Sequence, residues 1–424
     1  MRILHTADWH FGKTIEGRDR LPEQAQFVEE LCDICEREAV DLVLMAGDVF
    51  QTPNPSAAAE ELFYYAIDRL SANGTRGLVI IAGNHDNPDR LVAPAPLAAR
   101  NGIVLIGRPK DEIHFSANPS GSPVANRVKV VQAGYSWLEL AIPACGETAV
   151  IAALPYPSEA RLRELLSQST DDPEMRKAYN GQIAHIFQQL AAHYRPDTIN
   201  LAMSHLYVQG GEMSDSEHQI QVGGAYSVDP QCFPRSAQYV ALGHLHRPQA
   251  VPGSPVPARY SGSPLAYSFS ESNHKKSVVL LEASPSQAVR IQEIPLSSGR
   301  PLVKWIANEG LPQALQWAEE GRAANAWIDL TIHTDAVLTM EEIATLRRMH
   351  DGIVTIRPVL PEMDQQLSKQ ELSSLPLDQL FIRYFERQKG GAKPDDELVK
   401  LFLELAMDEA DTEDAGNEGE DMAG

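Results

Sequence analysis

The sequence predicts an α/β protein whose strands are buried and covered by helices, followed by a small α+β module and terminal helices. Within residues 1–275, short apolar runs such as residues 42–45 and 79–81 recur, and each ends in a polar cluster. Helical patterns at residues 22–39 and 56–72 lie between these runs. Buried strands that alternate with helices are typical of sheets covered on both faces.

The remainder of the chain has a different pattern. Residues 276–362 are expected to form a separate α+β domain, because the strand-like segments SVVLLEA, LVKWIAN, AWIDLTIH and GIVTIRPVL flank the helical segments LPQALQWAEEG and TMEEIATLRRMH. Residues 376–406 indicate two helices joined by KGGAK, with an apolar stripe at helical spacing. That stripe either docks on the body of the chain or binds helices of a partner, and both alternatives stay open here.

Composition indicates a globular chain with room for two or three domains. The 424 residues are 43% hydrophobic and 22% charged, and no apolar run approaches the roughly 18 residues of a membrane span. The start, MRILHTADWH, is strand-like rather than a secretory signal, so a cytoplasmic location is expected. Cys32 and Cys35 lie on one apolar face of a helical pattern, which favours core packing over redox or zinc chemistry.

The formal net charge of −22 does not favour a nucleic-acid binder by itself. Residues 407–424 hold eight acidic residues and no basic one, a composition typical of a disordered, solvated tail. The rest of the chain remains acidic at −14. Any binding to a polyanion must therefore depend on local basic groups, metal ions or a partner subunit.

Polar clusters follow the predicted strands one after another. They are Asp8-x-His10, Gly47-Asp48, Gly83-Asn84-His85-Asp86, His205 and Gly243-His244-x-His246. Ligands bind beyond the carboxyl ends of strands in such sheets, so these clusters are expected at one edge. Nitrogen and oxygen ligands without thiolates suit Mn²⁺, Fe²⁺, Zn²⁺ or Mg²⁺. The ligands are too many for one ion, and two ions about 3.5–4 Å apart with a bridging carboxylate would use them all.

In this order and at these strand ends, the clusters resemble the calcineurin-like metallophosphoesterases, which implies their sandwich fold. The resemblance implies two sets of metal ligands and one catalytic histidine. One ion would be held by Asp8, His10, Asp48 and His246, and the other by Asp48, Asn84, His205 and His244. His85 would contact the scissile phosphate or protonate the leaving oxygen. Asp86 either orients His85 or caps the turn.

The segments MRILHTADWHFGK, AGDVFQTPNPS, AGNHDNPDR, YVALGHLHRPQ and YSGSPLAYSFSE resemble, more narrowly, bacterial DNA-repair nuclease subunits of this family that act with an SMC-like ATPase. This resemblance is strong over residues 1–275. It implies manganese, double-strand exonuclease and single-strand or hairpin endonuclease activity, and a homodimer within a heterotetramer. The small domain would be a DNA-binding cap, and the terminal helices would hold the ATPase.

Two other functions are considered. A related enzyme acting on small phosphodiesters would need neither a cap-like module nor terminal helices. A non-catalytic scaffold is disfavoured by the complete ligand set together with His85. Phe11-Gly12-Lys13-Thr14 suggests a P-loop, but the required glycine is replaced by Ala7, so ATP dependence must come from a partner.

Some positions depart from the family or carry weaker predictions. Archaeal and eukaryotic relatives have a histidine where this chain has Gln51. Arg90 and Arg247 lie next to the site motifs and are the predicted DNA-backbone contacts. Further basic candidates with weaker support are Arg18, Arg20, Lys275 and Lys276. His5 is expected to be packed or hydrogen-bonded rather than a ligand. Trp9 is expected to pack beneath the site, although base stacking by Trp9 stays open.

Overall fold

A computed structural model describes residues 1–115, 126–158, 172–214, 217, 227–360, 377–388, 394, 398–400 and 402. They form two compact units. The first contains Met1–Trp305, Gly321–Leu330 and His350–Thr355, and the second contains the described residues of Ile306–Glu320, Thr331–Met349 and Ile356–Gly424. No helix within the described residues is long and apolar enough to span a membrane. Every predicted site residue lies in the first unit.

The first sheet has strands from both ends of the first unit. Its strands are β1 (Arg2–Thr6), β2 (Leu42–Ala46), β3 (Gly77–Ile81), β4 (Ile103–Ile106), β12 (Ser277–Glu282) and β13 (Arg290–Pro295). Their spatial order is β13-β12-β1-β2-β3-β4. β1 to β4 are parallel, whereas β12 pairs antiparallel with β1. The carboxyl ends of β1, β2 and β3 therefore meet at one edge.

The second sheet lies against the first. Its strands are β5 (Lys129–Gly134), β6 (Trp137–Ile142), β7 (Glu147–Leu154), β8 (Ile199–His205), β9 (Tyr239–Gly243), β10 (Gln249–Ala250) and β11 (Ala258–Tyr260). Their order is β10-β11-β9-β8-β7-β6-β5. Side chains of both sheets, such as Leu44 and Ile81 from the first and Ile151 and Met203 from the second, form one buried cluster. The predicted sandwich is confirmed.

Helices cover the outer faces of both sheets. They are α1 (Leu21–Arg37), α2 (Ala57–Ser71), α3 (Pro88–Val92), α4 (Ala95–Ala98) and α5 (Asp172–Ala191). Phe27 and Phe63 pack with the outer side chains of the first sheet, and Phe187 packs with those of the second. Cys32 and Cys35 lie on the buried face of α1 as free thiols and belong to the core cluster there, which confirms their packing role.

The prediction that the segment SVVLLEA belongs to the small module is wrong. It forms β12 of the first sheet, and β13 pairs with it. Val278 and Leu280 pack into the cluster under α1 and α2, while Val279 and Leu281 pack between the sheets. A strand that is apolar on both faces is stable only in the interior of a covered sheet. The expected boundary at residue 275 therefore cuts through this sheet.

The later segments follow the predicted alternation. Strands β14 (Leu302–Ala307), β15 (Trp327–His333) and β16 (Ile353–Val359) form a three-stranded sheet in the order β14-β15-β16. The intervening helices are α6 (Leu311–Glu319) and α7 (Met340–Met349). The first predicted terminal helix is α8 (Leu377–Gln388), and Phe381 stacks on Phe402 with ring centroids 4.1 Å apart. Most of the second terminal helix and residues 407–424 lie outside the described residues.

Candidate metal centre

Five strands of the two sheets bring the predicted ligands together. Asp8 and His10 follow β1, Asp48 follows β2, Asn84 and His85 follow β3, His205 ends β8, and His244 and His246 follow β9. The carboxylates and most of the imidazoles are almost inaccessible to solvent. Residues from five separate segments thus share one buried edge, as the sequence predicted.

Asp8, His10 and His246 form one group of potential ligands. One ligand atom from each lies within 4.8 Å of the others. The Nε2 atoms of His10 and His246 are 3.0 Å apart. The Nδ1 atom of His10 is buried and has no hydrogen-bond partner within the described structure. Two imidazole nitrogens beside one carboxylate make a nitrogen and oxygen donor set suited to a divalent cation.

Asn84, His205 and His244 form a second group. The Oδ1 atom of Asn84 lies 2.9 Å from Nε2 of His205 and 3.1 Å from Nδ1 of His244. The other ring nitrogen of His205, Nδ1, lies 2.8 Å from the carbonyl oxygen of Ala46. A hydrogen bond from Nδ1–H to that carbonyl holds the ring with Nε2 facing Asn84.

Asp48 lies between the two groups. Its Oδ2 atom is 3.5 Å from Nε2 of His10 in the first group and 3.5 Å from Nε2 of His205 in the second. Its other oxygen, Oδ1, accepts a hydrogen bond of 2.9 Å from the backbone N–H of His85. Asp48 therefore has the position expected of a carboxylate that bridges two cations.

The ligand-bearing backbone is strained. Asp8, His10, Asp48 and His244 have φ angles of 54°, 48°, 55° and 109°, which L-residues rarely adopt. Hydrogen bonds of 3.0 Å from Asp8 N to Gly47 O and from His10 N to Asp48 O hold two of these segments together. Such strain concentrates at functional sites, where the surrounding structure over-determines it.

Close backbone approach explains the glycine before Asn84. A Cβ atom on Gly83 would lie 2.0 Å from Oδ1 of Asp48 and 2.3 Å from its backbone nitrogen. A residue with a side chain would therefore displace the carboxylate that joins the two ligand groups. Glycine is therefore needed at this position to leave room for Asp48 as well as to form the turn.

Burial and neighbouring charges give the histidines of the cluster different pKa values. Burial lowers the pKa of His10 well below its usual value, that of His244 to about 3 and that of His246 to about 4. These rings are therefore neutral at pH 7 and offer lone pairs. Burial would also lower the pKa of His205, but the Asp48 and Asp8 carboxylates outweigh it and raise that pKa to about 9. A cation that binds there must displace the His205 proton.

His85 lies at the margin of the cluster. Its Nδ1 atom is 2.8 Å from the carbonyl oxygen of Gln51, and its Nε2 atom is 4.0 Å from Oδ2 of Asp48. Ligand atoms of His85, His10 and Asp48 also lie within 4.8 Å of one another. The geometry thus permits either a ligand or a substrate contact, and the non-ligand role stays a prediction.

Asp86 organises the turn. Its carboxylate accepts hydrogen bonds from the backbone N–H groups of Gly83 at 2.8 Å, Phe50 at 2.9 Å and Val49 at 3.2 Å. Burial raises its pKa to about 6 despite these hydrogen bonds. These contacts favour the turn-capping interpretation of Asp86. The contact that orients the His85 ring comes from Gln51.

The predicted DNA contacts are exposed and already paired with acids. Arg90 donates to Glu60 at 2.7 Å, and Arg247 forms an ion pair with Glu212. Two weaker basic candidates are wrong as surface contacts, because both are buried. Arg20 binds Glu23 at 2.7 Å, and Lys276 donates to the carbonyl oxygen of His246 at 2.9 Å.

The expected burial of His5 and Trp9 is confirmed. The His5 ring is completely buried between Tyr239 OH at 3.0 Å and Leu242 O at 3.1 Å. Trp9 is also completely buried and donates to Thr6 Oγ1 at 2.9 Å, so base stacking by Trp9 is wrong.

Sequence reasoning misses two buried glutamates near His246. Glu217 Oε1 accepts a hydrogen bond of 2.6 Å from His246 N, and Oε1 of Glu271 lies 3.5 Å from Nδ1 of His246. Glu217 occurs in a polar segment of the sequence, and no local pattern distinguishes it from a surface acid. For Glu271, the one hint in the sequence is Lys276, a basic residue five positions later that could form an ion pair with it.

Comparisons with known proteins agree with this geometry. Residues 1–248 match the family model described as calcineurin-like phosphoesterase. The chain is 48% identical over 407 residues to a protein of Bacillus subtilis (strain 168) that is named as the SbcD component of the nuclease SbcCD, covering 96% of this chain and 98% of the relative.

Proteins of the same name from other bacteria are also similar along most of their length. The one from Rhodobacter capsulatus is 34% identical, with 80% of this chain and 82% of the relative covered. The one from Escherichia coli (strain K12) is 26% identical, with 95% and 97% covered. The chain therefore belongs to the calcineurin-like phosphoesterases and, within them, to the SbcD family of SbcCD nuclease components.

Proposed function

We propose that this chain is a metal-dependent DNA nuclease that uses two divalent ions. The observation that carries the proposal is the position of Asp48, whose Oδ2 lies 3.5 Å from a histidine nitrogen in each of the two ligand groups. A carboxylate between two nitrogen and oxygen donor sets suits a pair of metal ions that stabilise the attacking and leaving oxygens of a phosphodiester.

The donor set fits a pair of cations. Asp8 and Asp48 are completely buried or nearly so, and carboxylates in such surroundings need positive charge nearby. Asp8, His10, Asp48 and His246 would hold one ion, and Asp48, Asn84, His205 and His244 would hold the other. When bound, two such ions polarise a phosphodiester and lower the pKa of water.

The protein supplies orientation and a proton donor. The Ala46 carbonyl fixes the ring of His205, and the Gln51 carbonyl fixes the ring of His85. The side chain of His85 is 9% exposed and lies at the margin of the ligand cluster, where a substrate would bind. With Nδ1–H donated to Gln51, the imidazolium form of the ring donates a hydrogen bond from Nε2 to the scissile phosphate, or passes its Nε2 proton to the departing sugar oxygen and becomes neutral.

Finer features of the proposal rest on family membership. The relatives are named as the SbcD component of an SbcCD nuclease, which supports action within a complex. We propose manganese as the metal, and double-strand exonuclease and single-strand endonuclease activity in DNA repair. The partner is an SMC-like ATPase bound by the terminal helices, and the chain acts as a homodimer. The module around β14–β16 helps to bind DNA, together with Arg90 and Arg247.

The test is a cleavage assay. The purified chain is incubated with Mn²⁺ and a labelled linear duplex, with and without the SMC-like ATPase, and His85→Ala is run beside it. Cleavage that requires both Mn²⁺ and His85 is expected. Failure to cut DNA in either condition, together with hydrolysis of a small chromogenic phosphodiester, would replace the nuclease with the small-substrate enzyme.

A further inference from the structure

The two ring nitrogens of His246 have different surroundings. Nε2 lies 3.0 Å from Nε2 of His10, inside the first ligand group. Nδ1 lies 3.5 Å from Oε1 of Glu271, a carboxylate with 0% exposure. Glu271 ends a short 3-10 turn, Phe269–Glu271, which is distant from His246 along the chain. A fully buried acid thus faces the side of the ring that points away from the ligand group.

Glu271 is itself held in place by Lys276. The Lys276 ammonium forms an ion pair with the Glu271 carboxylate and donates to Ser263 Oγ at 2.8 Å. It also donates to the backbone carbonyl oxygen of His246 at 2.9 Å. Lys276 therefore links the carboxylate that faces the His246 ring to the His246 backbone.

Glu217 holds the other side of the same residue. Its Oε1 atom accepts a hydrogen bond of 2.6 Å from the backbone N–H of His246. The backbone N–H of His246 is therefore bound by Glu217, and its backbone carbonyl by Lys276. Both of these charged side chains are buried. A third charged group, Glu271, faces the ring. This arrangement restricts the position of His246 and the rotation of its ring.

We infer that Glu271 is a positioning residue that fixes the His246 ring so that its Nε2 lone pair faces the first metal ion. A carboxylate that accepts the Nδ1–H of an imidazole selects the tautomer in which Nε2 is unprotonated, and it increases the basicity of that nitrogen. The inference rests on the proposed function, because it takes His246 as a metal ligand. By this inference, the buried contact between Glu271 and His246 determines the affinity of the ion beside Asp8 and His10. It does not determine the affinity of the ion in the second ligand group.

A purely structural ion pair makes a different prediction. If Glu271 served only to neutralise Lys276, its loss would lower the stability of the fold without distinguishing between the two ions. The second ligand group, which contains Asn84 and His205, is oriented instead by the Ala46 carbonyl. Binding measurements that resolve the two ions therefore separate the two roles.

The experiment is calorimetric titration of Mn²⁺ into the metal-free full-length chain. Wild type is expected to bind two ions. Glu271→Gln, which keeps the shape and removes the charge, is expected to weaken one binding event by about 10- to 100-fold and leave the other unchanged. Glu271→Asp keeps the charge and is expected to restore the weakened event within a few-fold.

The matched control is Glu139→Gln. Glu139 is another buried glutamate in an ion pair, with Arg195 at 2.8 Å, and it lies on β6 rather than beside the ligands. Loss of this charge is expected to change the thermal stability of the chain. The affinities of both Mn²⁺ ions are expected to stay the same. Equal weakening of Mn²⁺ binding in this control and in Glu271→Gln would overturn the inference.

Glu271→Gln alone leaves the Lys276 ammonium buried without its counterion, which is strongly destabilising and could unfold the chain. A double variant that removes both members of this ion pair avoids that outcome. Glu271→Gln combined with Lys276→Met is expected to fold and to show the same selective loss. A folded variant that lacks Glu271 and binds both ions as wild type does would overturn the inference. Wild type that binds fewer than two ions would instead overturn the metal centre of the proposed function.

Discussion

The Nδ1 atom of His85 lies 2.8 Å from the carbonyl oxygen of Gln51. An N–H donated to this carbonyl leaves the opposite nitrogen, Nε2, facing the ligand cluster, 4.0 Å from Oδ2 of Asp48. A backbone carbonyl cannot change its charge or rotate freely, so it fixes the ring whatever residue type occupies position 51. The orientation of His85 thus depends on the path of the loop after β2.

His85→Ala is expected to reduce DNA cleavage by about 10²- to 10⁴-fold, which is typical for loss of an acid–base group. Both Mn²⁺ ions are expected to stay bound, because the two ligand groups do not need this side chain. Cleavage rates and metal titration check the prediction. His193→Ala is the control, since the His193 ring is not part of the cluster and instead stacks on Trp137, with ring centroids 3.5 Å apart. Loss of an ion from His85→Ala would make His85 a ligand.

Asp48→Asn is expected to weaken both Mn²⁺ ions, because the Asp48 carboxylate faces both ligand groups at 3.5 Å. Asparagine tolerates the left-handed φ of 55° at this position, so the backbone is expected to survive. His244→Ala, in contrast, is expected to weaken one ion. Calorimetric titration of the two variants distinguishes the cases. If Asp48→Asn weakened a single ion, the bridging role would be wrong.

Gly83→Ala is expected to disrupt the cluster, because the added Cβ would lie 2.0 Å from Oδ1 of Asp48. The overpacking is expected to lower the free energy of unfolding by about 1–3 kcal/mol and to abolish tight Mn²⁺ binding. Gly181→Ala in the middle of α5 is the control, since among the described residues no atom beyond its own stretch of helix lies within 4 Å of the added Cβ. It is expected to raise stability by about 0.5–1 kcal/mol in urea unfolding. Normal Mn²⁺ binding by Gly83→Ala would contradict this explanation.

His5 is expected to make stability depend on pH. Burial lowers its pKa from 6.5 to about 3 in the folded chain, so between these values the unfolded chain binds the proton and the folded chain does not. The free energy of unfolding therefore falls as the pH drops from about 6.5 toward about 3, with a slope from this residue of at most about 1.4 kcal/mol per pH unit.

Urea unfolding of the metal-free chain at several pH values tests this dependence. His5→Gln is expected to show a shallower fall than wild type, by the share that one proton contributes. His185→Gln replaces an exposed histidine on α5 and is the control, with the slope expected to match wild type. An unchanged slope in His5→Gln would show that its burial does not govern the pH dependence.

The ligand cluster could be predicted because each motif lies at the end of a strand or just beyond it. The strands before Asp8, Asp48 and Asn84 are buried on both faces, and parallel neighbours must end at a common edge. The left-handed backbone at Asp8 and Asp48 could not be predicted, since no glycine marks it there. That conformation follows from contacts between segments that are far apart in the chain.

The charged residues around the site were harder to predict. Arg20 and Lys276 have the same appearance in sequence as surface bases, yet each is buried against a glutamate. Glu217 and Glu271 likewise resemble solvated acids. Their roles depend on which backbone they face after folding. For the same reason the sequence does not reveal the sheet to which β12 belongs, because its apolar pattern does not identify its partner, β1.

The most direct test of the two-metal centre is an anomalous difference map from a crystal of the chain grown with Mn²⁺. We predict two peaks about 3.5–4 Å apart, one beside Asp8, His10 and His246 and the other beside Asn84, His205 and His244, with Asp48 between them. A single peak, or two peaks without Asp48 between them, would contradict the two-metal centre.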